Sequence, residues 1–217
     1  MPVVHSRFQL AGPGAWAAYS LSGANSLGIS QLYLAVVGQD SLEGKLHFWY
    51  EWTTVVRGDT QSVKLLVSAD SVFSLKARRM IVKQAGRQAV ELPFGGLDLE
   101  ALMGQQSALG IDPEDLASAV EKAGKTGRKV EDLGSEARTV AGRRLEARRL
   151  RVTEKDGREV GLWLSPRVPF FSLVRLESPG LEVDLTGWGT AGAVERIGQD
   201  FRPLDLKGLM EGLRQPE

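Results

Sequence analysis

Apolar and polar residues alternate along much of this chain with a period of two. In residues 45–56, Leu46, Phe48, Tyr50 and Trp52 fall on one side. His47, Glu51 and Thr53 fall on the other, with Trp49 among them. Val63, Leu65 and Val67 alternate with Ser62, Lys64 and Ser68, and Leu181, Val183 and Leu185 with Glu182, Asp184 and Thr186. Strands with one apolar and one wet side belong to antiparallel sheets. The pattern predicts strands near 15–22, 27–37, 45–56, 60–68, 71–76, 79–84, 128–133, 136–141, 145–155, 158–164, 171–177 and 181–187. Gly58-Asp59 reads as a two-residue hairpin loop and Asp156-Gly157 as a type I′ turn. Ala85-Gly86 and Pro179-Gly180 punctuate two more strand pairs. Successive strands joined by such turns form a meander, and their number and spacing predict a barrel or a strongly curled sheet.

One stretch departs from this pattern. Residues 96–124 read as two short helices, the second with Asp112 as N-cap, Pro113 at the first position, Glu114 and Asp115 in the first turn and Gly124 as its stop. Long insertions in compact domains are usually functional or disordered. Leu97, Leu99, Leu102 and Met103 have no strand to pack in and are assigned to a lid over the mouth of the sheet. A third helix is read over 203–213, with Leu206, Leu209, Met210 and Leu213 on one side. The expected fold class is therefore mainly β with an α insert, as a single domain over 1–217: a curled antiparallel sheet or incomplete β-barrel.

Composition narrows the function. The chain has 217 residues, long enough to bury a core without disulfides, and its 27 basic and 27 acidic residues cancel. A zero net charge argues against a dedicated nucleic-acid binder. The absence of Cys removes disulfides, thiolate nucleophiles and thiolate zinc sites. There is no run of 18 apolar residues, and residues 1–7 have neither the charged nor the apolar region of a signal peptide. That leaves a cytoplasmic protein or one whose leader was removed.

The short motifs favour plain readings. Gly187-Trp188-Gly189-Thr190-Ala191-Gly192 matches G-x-G-x-x-G, but a dinucleotide site needs it to open a βαβ unit, and the strand before it is half polar. Arg57-Gly58-Asp59 is explained as a turn. Arg138, Arg143, Arg144, Arg148, Arg149 and Arg151 are interleaved with Glu136, Glu146 and Glu154 and carry no aromatics, so a solvated strand face is the first reading and anionic headgroup contact the second. The two His residues, His5 and His47, show no metal-ligand spacing, no Ser sits in a nucleophile elbow, and Asp98, Glu100, Asp112, Glu114 and Asp115 are helix-start residues. No catalytic, cofactor or metal site is expected. The aromatic run Phe48 to Trp52 is either core or the wall of an apolar cavity, because a wide curled sheet cannot fill its interior with its own side chains.

The stretch from Gly161-Leu162-Trp163-Leu164-Ser165-Pro166-Arg167-Val168-Pro169 to Leu176-Glu177-Ser178 carries a resemblance. So do Arg138-Thr139-Val140-Ala141-Gly142 with the Asp156-Gly157 hairpin, and the Val37-Gly38-Gln39-Asp40 turn before the aromatic strand. Together they resemble bacterial envelope proteins related to the Lol-type lipoprotein carriers. The resemblance implies an incomplete antiparallel β-barrel with helices plugging its mouth, a location in the periplasm or cell envelope, and acyl chains bound in an apolar cavity. The resulting expectation is non-enzymatic binding or carriage of a lipid or lipoprotein acyl chain, with peripheral membrane contact and no nucleic acid. The cavity would be lined by Leu46, Phe48, Tyr50, Trp52, Val63, Leu65, Val67, Leu181, Val183 and Leu185. A structural or protein-interaction module with a filled interior is the alternative, and a hydrolase the weaker one.

Overall fold

A computed structural model describes residues 11–23, 28–69, 77–92, 129–154 and 156–204. They form twelve strands: β1 (Trp16–Gly23), β2 (Ile29–Leu42), β3 (Lys45–Val56), β4 (Asp59–Ser68), β5 (Ala77–Gln84), β6 (Ala89–Leu92), β7 (Lys129–Val140), β8 (Arg143–Thr153), β9 (Glu159–Leu164), β10 (Leu173–Ser178), β11 (Leu181–Gly189) and β12 (Phe201–Pro203). All twelve lie in one sheet, in the order β12-β6-β5-β4-β3-β2-β1-β11-β10-β9-β8-β7. Two meanders, β1–β6 and β7–β11, are therefore joined by antiparallel pairing of β1 with β11, from Trp16 opposite Gly189 to Gly23 opposite Leu181. The sheet curls far enough to bring β7 into contact with β11, four places away in the order.

This corrects the expected class. The sheet is open, with β7 and β12 as its two edges, and there is no helix among the described residues. The described residues form neither a closed barrel nor a mixed β-plus-helix arrangement. The predicted helical insert 96–124, its residues Leu97, Leu99, Leu102 and Met103, and the predicted strand 71–76 lie outside the described residues. The predicted helix 203–213 lies almost wholly outside them too, but its first position, Pro203, ends a strand. That strand, β12, pairs parallel to β6, so the sheet is not purely antiparallel.

Three hairpins turn on a residue of positive φ followed by Gly: Glu43-Gly44 (53°, 73°), Arg57-Gly58 (51°, 92°) and Ala141-Gly142 (47°, 75°). Positive φ at both central positions is the type I′ geometry, whose twist matches that of the flanking strands. The loop expected at Gly58-Asp59 thus sits one residue earlier, and Asp59 already pairs with Val56. The turns sort to two ends of the sheet. Turns 43–44 and 141–142 and loop 165–172 lie at one, and turns 57–58, 85–88, 154–158 and 179–180 at the other.

Candidate functional site

The face carrying the even-numbered aromatics of β3 is apolar from one meander to the other. Ala17, Tyr19 and Leu21 of β1 share one core with Leu34 and Val36 of β2, Tyr50 of β3, Leu65 and Val67 of β4 and Met80 of β5. The second meander adds Leu145, Leu150, Leu162, Leu176, Val183 and Leu185. Strand register explains the continuity: Val183 opposes Leu21 and Leu176, and Leu162 opposes Leu176 and Leu150. A one-residue slip in any strand would turn its apolar set outward.

Of the ten residues assigned to a cavity wall, Tyr50, Leu65, Val67, Val183 and Leu185 are buried in this core. Phe48, Trp52, Val63 and Leu181 are half-buried and pack against it. Leu46 is not part of it and stands 46% exposed. The reason is local: among the described residues β4 pairs with β3 only from His47 onward, and β1 pairs with β2 only as far as Ala35, so the β2–β3 tip extends past both strands.

Sequence reasoning missed the loop between β9 and β10. Val168 and Phe170 belong to the same core and are fully buried or nearly so. The loop closes through Ser165 N–H to Ser172 O (2.7 Å) and Val168 N–H to Ser165 O (3.1 Å). Phe170 and Ser172 take positive φ, 68° and 56°, a costly conformation for non-Gly residues that surrounding packing must impose. Tyr19 Oη donates to Leu173 O at 3.2 Å. One end of the apolar face is thus lined by a loop. Its signal in the sequence was Val168-Pro169-Phe170-Phe171, an apolar run without strand alternation.

The opposite face corrects a second expectation. His47, Glu51 and Thr53, read as solvent-facing, are 1%, 0% and 4% exposed. A strap formed by residues 190–200 crosses this face and ends in β12. Trp16 Nε1 donates to Ala191 O (3.1 Å), and Val194 N–H donates to Tyr33 Oη (2.8 Å). The Glu51 carboxylate accepts the backbone N–H groups of Arg196 (2.8 Å) and Ile197 (3.0 Å). Lys64, opposite Glu51 in β4, donates to Ile197 O at 3.1 Å and pairs with Glu195. Ile197 is fully buried against Ile81 and Ala89, with Trp49 and Phe201 beside them. The polar face of β3 and β4 is therefore polar because it meets a backbone, not because it meets water.

The strap also explains the glycine motif. A Cβ on Gly187 would sit 3.0 Å from the Trp16 ring, and one on Gly189 2.6 Å from Trp16 Nε1. Both glycines make room for an indole that stacks on Tyr33 at 6.0 Å.

On the outer face of the second meander, Trp163 is buried under the guanidinium groups of Arg138, Arg149 and Arg175, at 5.4, 4.9 and 5.8 Å from its ring centroid. Its Nε1 donates to Glu136 Oε2 at 3.1 Å. Beside it runs an open groove of about 430 Å³, walled by Arg149 and Arg151 and by Glu159, Glu177 and Glu182. Arg175 Nη1 donates to both carboxylate oxygens of Asp184 (2.7 and 2.9 Å), and Arg175 Nε donates to Glu177 Oε1 (2.7 Å). The arginine run is thus a cross-strand lattice of alternating charge.

Catalytic geometry does not assemble among the described residues. Register places Asp40, His47 and Ser68 in a row across β2, β3 and β4. However, His47 Nδ1 bonds Lys45 O at 2.9 Å and its Nε2 has no partner, so no relay links the three. Burial raises the Tyr19 phenol and pushes Tyr50 up to about 12, so neither exchanges protons near neutrality. No group of three metal-ligating side chains occurs among the described residues.

Neither a protein-family model nor a curated protein matches the chain. Among solved structures it is similar to MucB at 17% identity, over 90% of this chain and 61% of that one, with a TM-score of 0.35. It is similar to LprF from Mycobacterium bovis at 16% identity (88% and 90% covered, TM-score 0.39). A lipoprotein from Parabacteroides distasonis ATCC 8503 is 10% identical (84% and 98% covered, TM-score 0.37). The chain spans about three-fifths of the length of MucB, and likenesses this distant carry no conclusion about its activity.

Proposed function

We propose that the protein is a non-enzymatic binder of a hydrophobic ligand, a lipid or an acyl chain, in the bacterial cell envelope, and that the ligand lies along the apolar face of the open sheet. The observation that carries this reading is the continuity of that face. It runs through eleven strands, and Phe48, Trp52, Val63 and Leu181 remain partly accessible beside the buried residues. The envelope location rests on the sequence resemblance of residues 138–178 described above. A ligand that buries roughly 300 Å² of apolar surface would gain about 7 kcal/mol before association costs.

The complete burial of Leu65, Leu145 and Val168 favours a second reading, in which the interior is filled and the protein is a structural or interaction module. One experiment separates them. Protein purified from its own source is examined by native mass spectrometry and lipid extraction, and delipidated protein is titrated with a fluorescent fatty acid. Binding that Phe48→Ala weakens beyond its effect on stability supports the ligand reading. Folded protein that neither carries lipid nor takes up the probe establishes the filled module.

A further inference from the structure

Within the charge lattice of the second meander one cation is left over. Arg138 lies 3.9 Å from Glu136, Arg144 3.4 Å from Glu146, Arg151 3.5 Å from Glu131 and Arg175 2.7 Å from Asp184. Arg148 Nε donates to Asp132 at 3.0 Å, and Arg143 donates to Trp188 O. Arg149 alone among the arginines of β7–β11 meets no carboxylate or carbonyl of the described residues. Its guanidinium is half-buried and stands 4.9 Å from the Trp163 ring centroid. Stacking holds a guanidinium in place and leaves its N–H fork unbonded, the state in which arginine recognises a carboxylate.

Register builds a groove beside it. Two rows of residues cross β8, β9, β10 and β11. One runs Arg149, Trp163, Arg175, Asp184, and the next Arg151, Gly161, Glu177, Glu182. Gly161 is a gap in the second row. A Cβ there would stand 3.0 Å from the Trp163 ring, so the indole takes that space and lines the open groove of about 430 Å³.

The groove is polarised. Its cations, Arg149 and Arg151, stand on β8, and its carboxylates on β9, β10 and β11. Glu177 is bonded by Arg175 Nε at 2.7 Å, whereas Glu182 meets Arg175 only at 3.6 Å and is 52% exposed. Three strand spacings and two residues of rise separate Arg149 from Glu182, roughly 16 Å between Cα atoms, a span that about four or five residues of extended chain cover. A lone anion at Arg149 would face the groove's carboxylates. A ligand with its own cation at the far end meets opposite charge at both ends.

We propose that this groove binds an extended peptide segment whose acidic side chain meets Arg149 and whose basic side chain, about four residues away, meets Glu182. The site lies on the outer face, so it stands or falls separately from the ligand on the apolar face, which the fatty-acid titration reads.

The test is an NMR titration of the full chain with the end-blocked peptide Asp-Ala-Ala-Ala-Lys, followed at the Trp163 indole N–H. That resonance should move with a Kd of about 1 mM, while those of Trp16 and Trp49 stay in place, and binding should weaken as salt is raised. Arg149→Gln should weaken it about fivefold and Glu182→Gln about threefold. Peptides with Asn for Asp or Gln for Lys should lose the same factors, and they leave the fold untouched. Arg144→Gln, near the opposite end of β8, should change nothing. The proposal is overturned if about 10 mM peptide leaves the Trp163 resonance unmoved, or if either altered peptide binds as well as the parent. It is also overturned if Arg149→Gln, folded by circular dichroism, binds unchanged. Inorganic phosphate binding as tightly as the peptide overturns it too, because the groove would then be a site for a lone anion.

Discussion

Replacing Glu51 by Ala should unfasten the strap. Three losses follow from the geometry. The N–H groups of Arg196 and Ile197 lose their acceptor, and that of Ile197 is buried with its residue. Lys64, itself buried, loses the carboxylate directly opposite it and keeps only Glu195 and a carbonyl. A hydrogen bond to a charged group is worth about 1.5–3 kcal/mol, and breaking a buried charged arrangement by removing one member costs about 3–5 kcal/mol. These overlap, so the expected loss is about 3–5 kcal/mol in total. Urea unfolding followed by tryptophan fluorescence measures it, and Trp49, 5.0 Å below Lys64 Nζ, reports the site. Hydrogen exchange locates it: amides of 194–204 should lose protection before those of β10 and β11. Glu51→Gln keeps the size and one acceptor and should lose less. A Glu51→Ala variant within about 1 kcal/mol of wild type, with strap amides still protected, would refute the argument that the strap depends on this carboxylate.

Burial raises the Glu51 carboxyl above its ordinary value of 4.5, outweighing the two N–H groups and Lys64 that lower it. Folding then takes up a proton between those two values, so this group's contribution is full below 4.5 and is lost as pH rises through the raised pKa. Wild type should therefore gain stability relative to Glu51→Gln as pH falls from 7 towards 4.5, and a constant difference across that range would contradict it. Gly189→Ala should cost about 1–3 kcal/mol by overpacking against Trp16, and Trp16→Ala in the same chain should remove most of that penalty in a double-mutant cycle. Trp163→Ala should cost about 3–5 kcal/mol by chemical denaturation, and a loss under 1 kcal/mol would make the three stacked arginines surface decoration. Ser165→Ala should be neutral or stabilise by about 1 kcal/mol, because its buried Oγ has no hydrogen-bond partner among the described residues; a large loss would show that the hydroxyl is used.

Alternation was enough to locate most of the meander. The strand predicted at 45–56 is β3 residue for residue, and the Ala85-Gly86 and Pro179-Gly180 turns fall where hairpins close. Errors arose where the pattern is interrupted or where the partner is distant. Strands predicted at 128–133 and 136–141 are one strand, β7, broken in appearance by a bulge between Asp132 and Ser135, with Gly134 at φ 91°. The four residues of β6 and three of β12 are too short to show a period. Glu51 and Lys64 looked wet because a polar side chain has the same sequence signature whether it meets water or a strap some 145 residues along the chain. Half of the apolar wall was legible for the opposite reason: Tyr50, Leu65 and Val67 are fixed by neighbouring strands. Val168 and Phe170 enter the core from a loop that has no period at all.

The join between β1 and β11 bears on how the chain reaches this state. Residue 16 must wait for residue 189 before one flank of its strand is satisfied. At a synthesis rate of about 5–20 residues per second, that interval is roughly 10–35 s. Through that time the nascent first meander carries a strand, Trp16–Gly23, that pairs with β2 but has one free edge, and its apolar Ala17, Tyr19 and Leu21 have no second meander to pack against. Loop closure over such a separation is slow, and a free strand edge templates pairing with other chains. The central seam of the mature sheet is thus its weakest point during birth. Chains truncated before residue 181 should accumulate as aggregates even though most of their hairpins are complete.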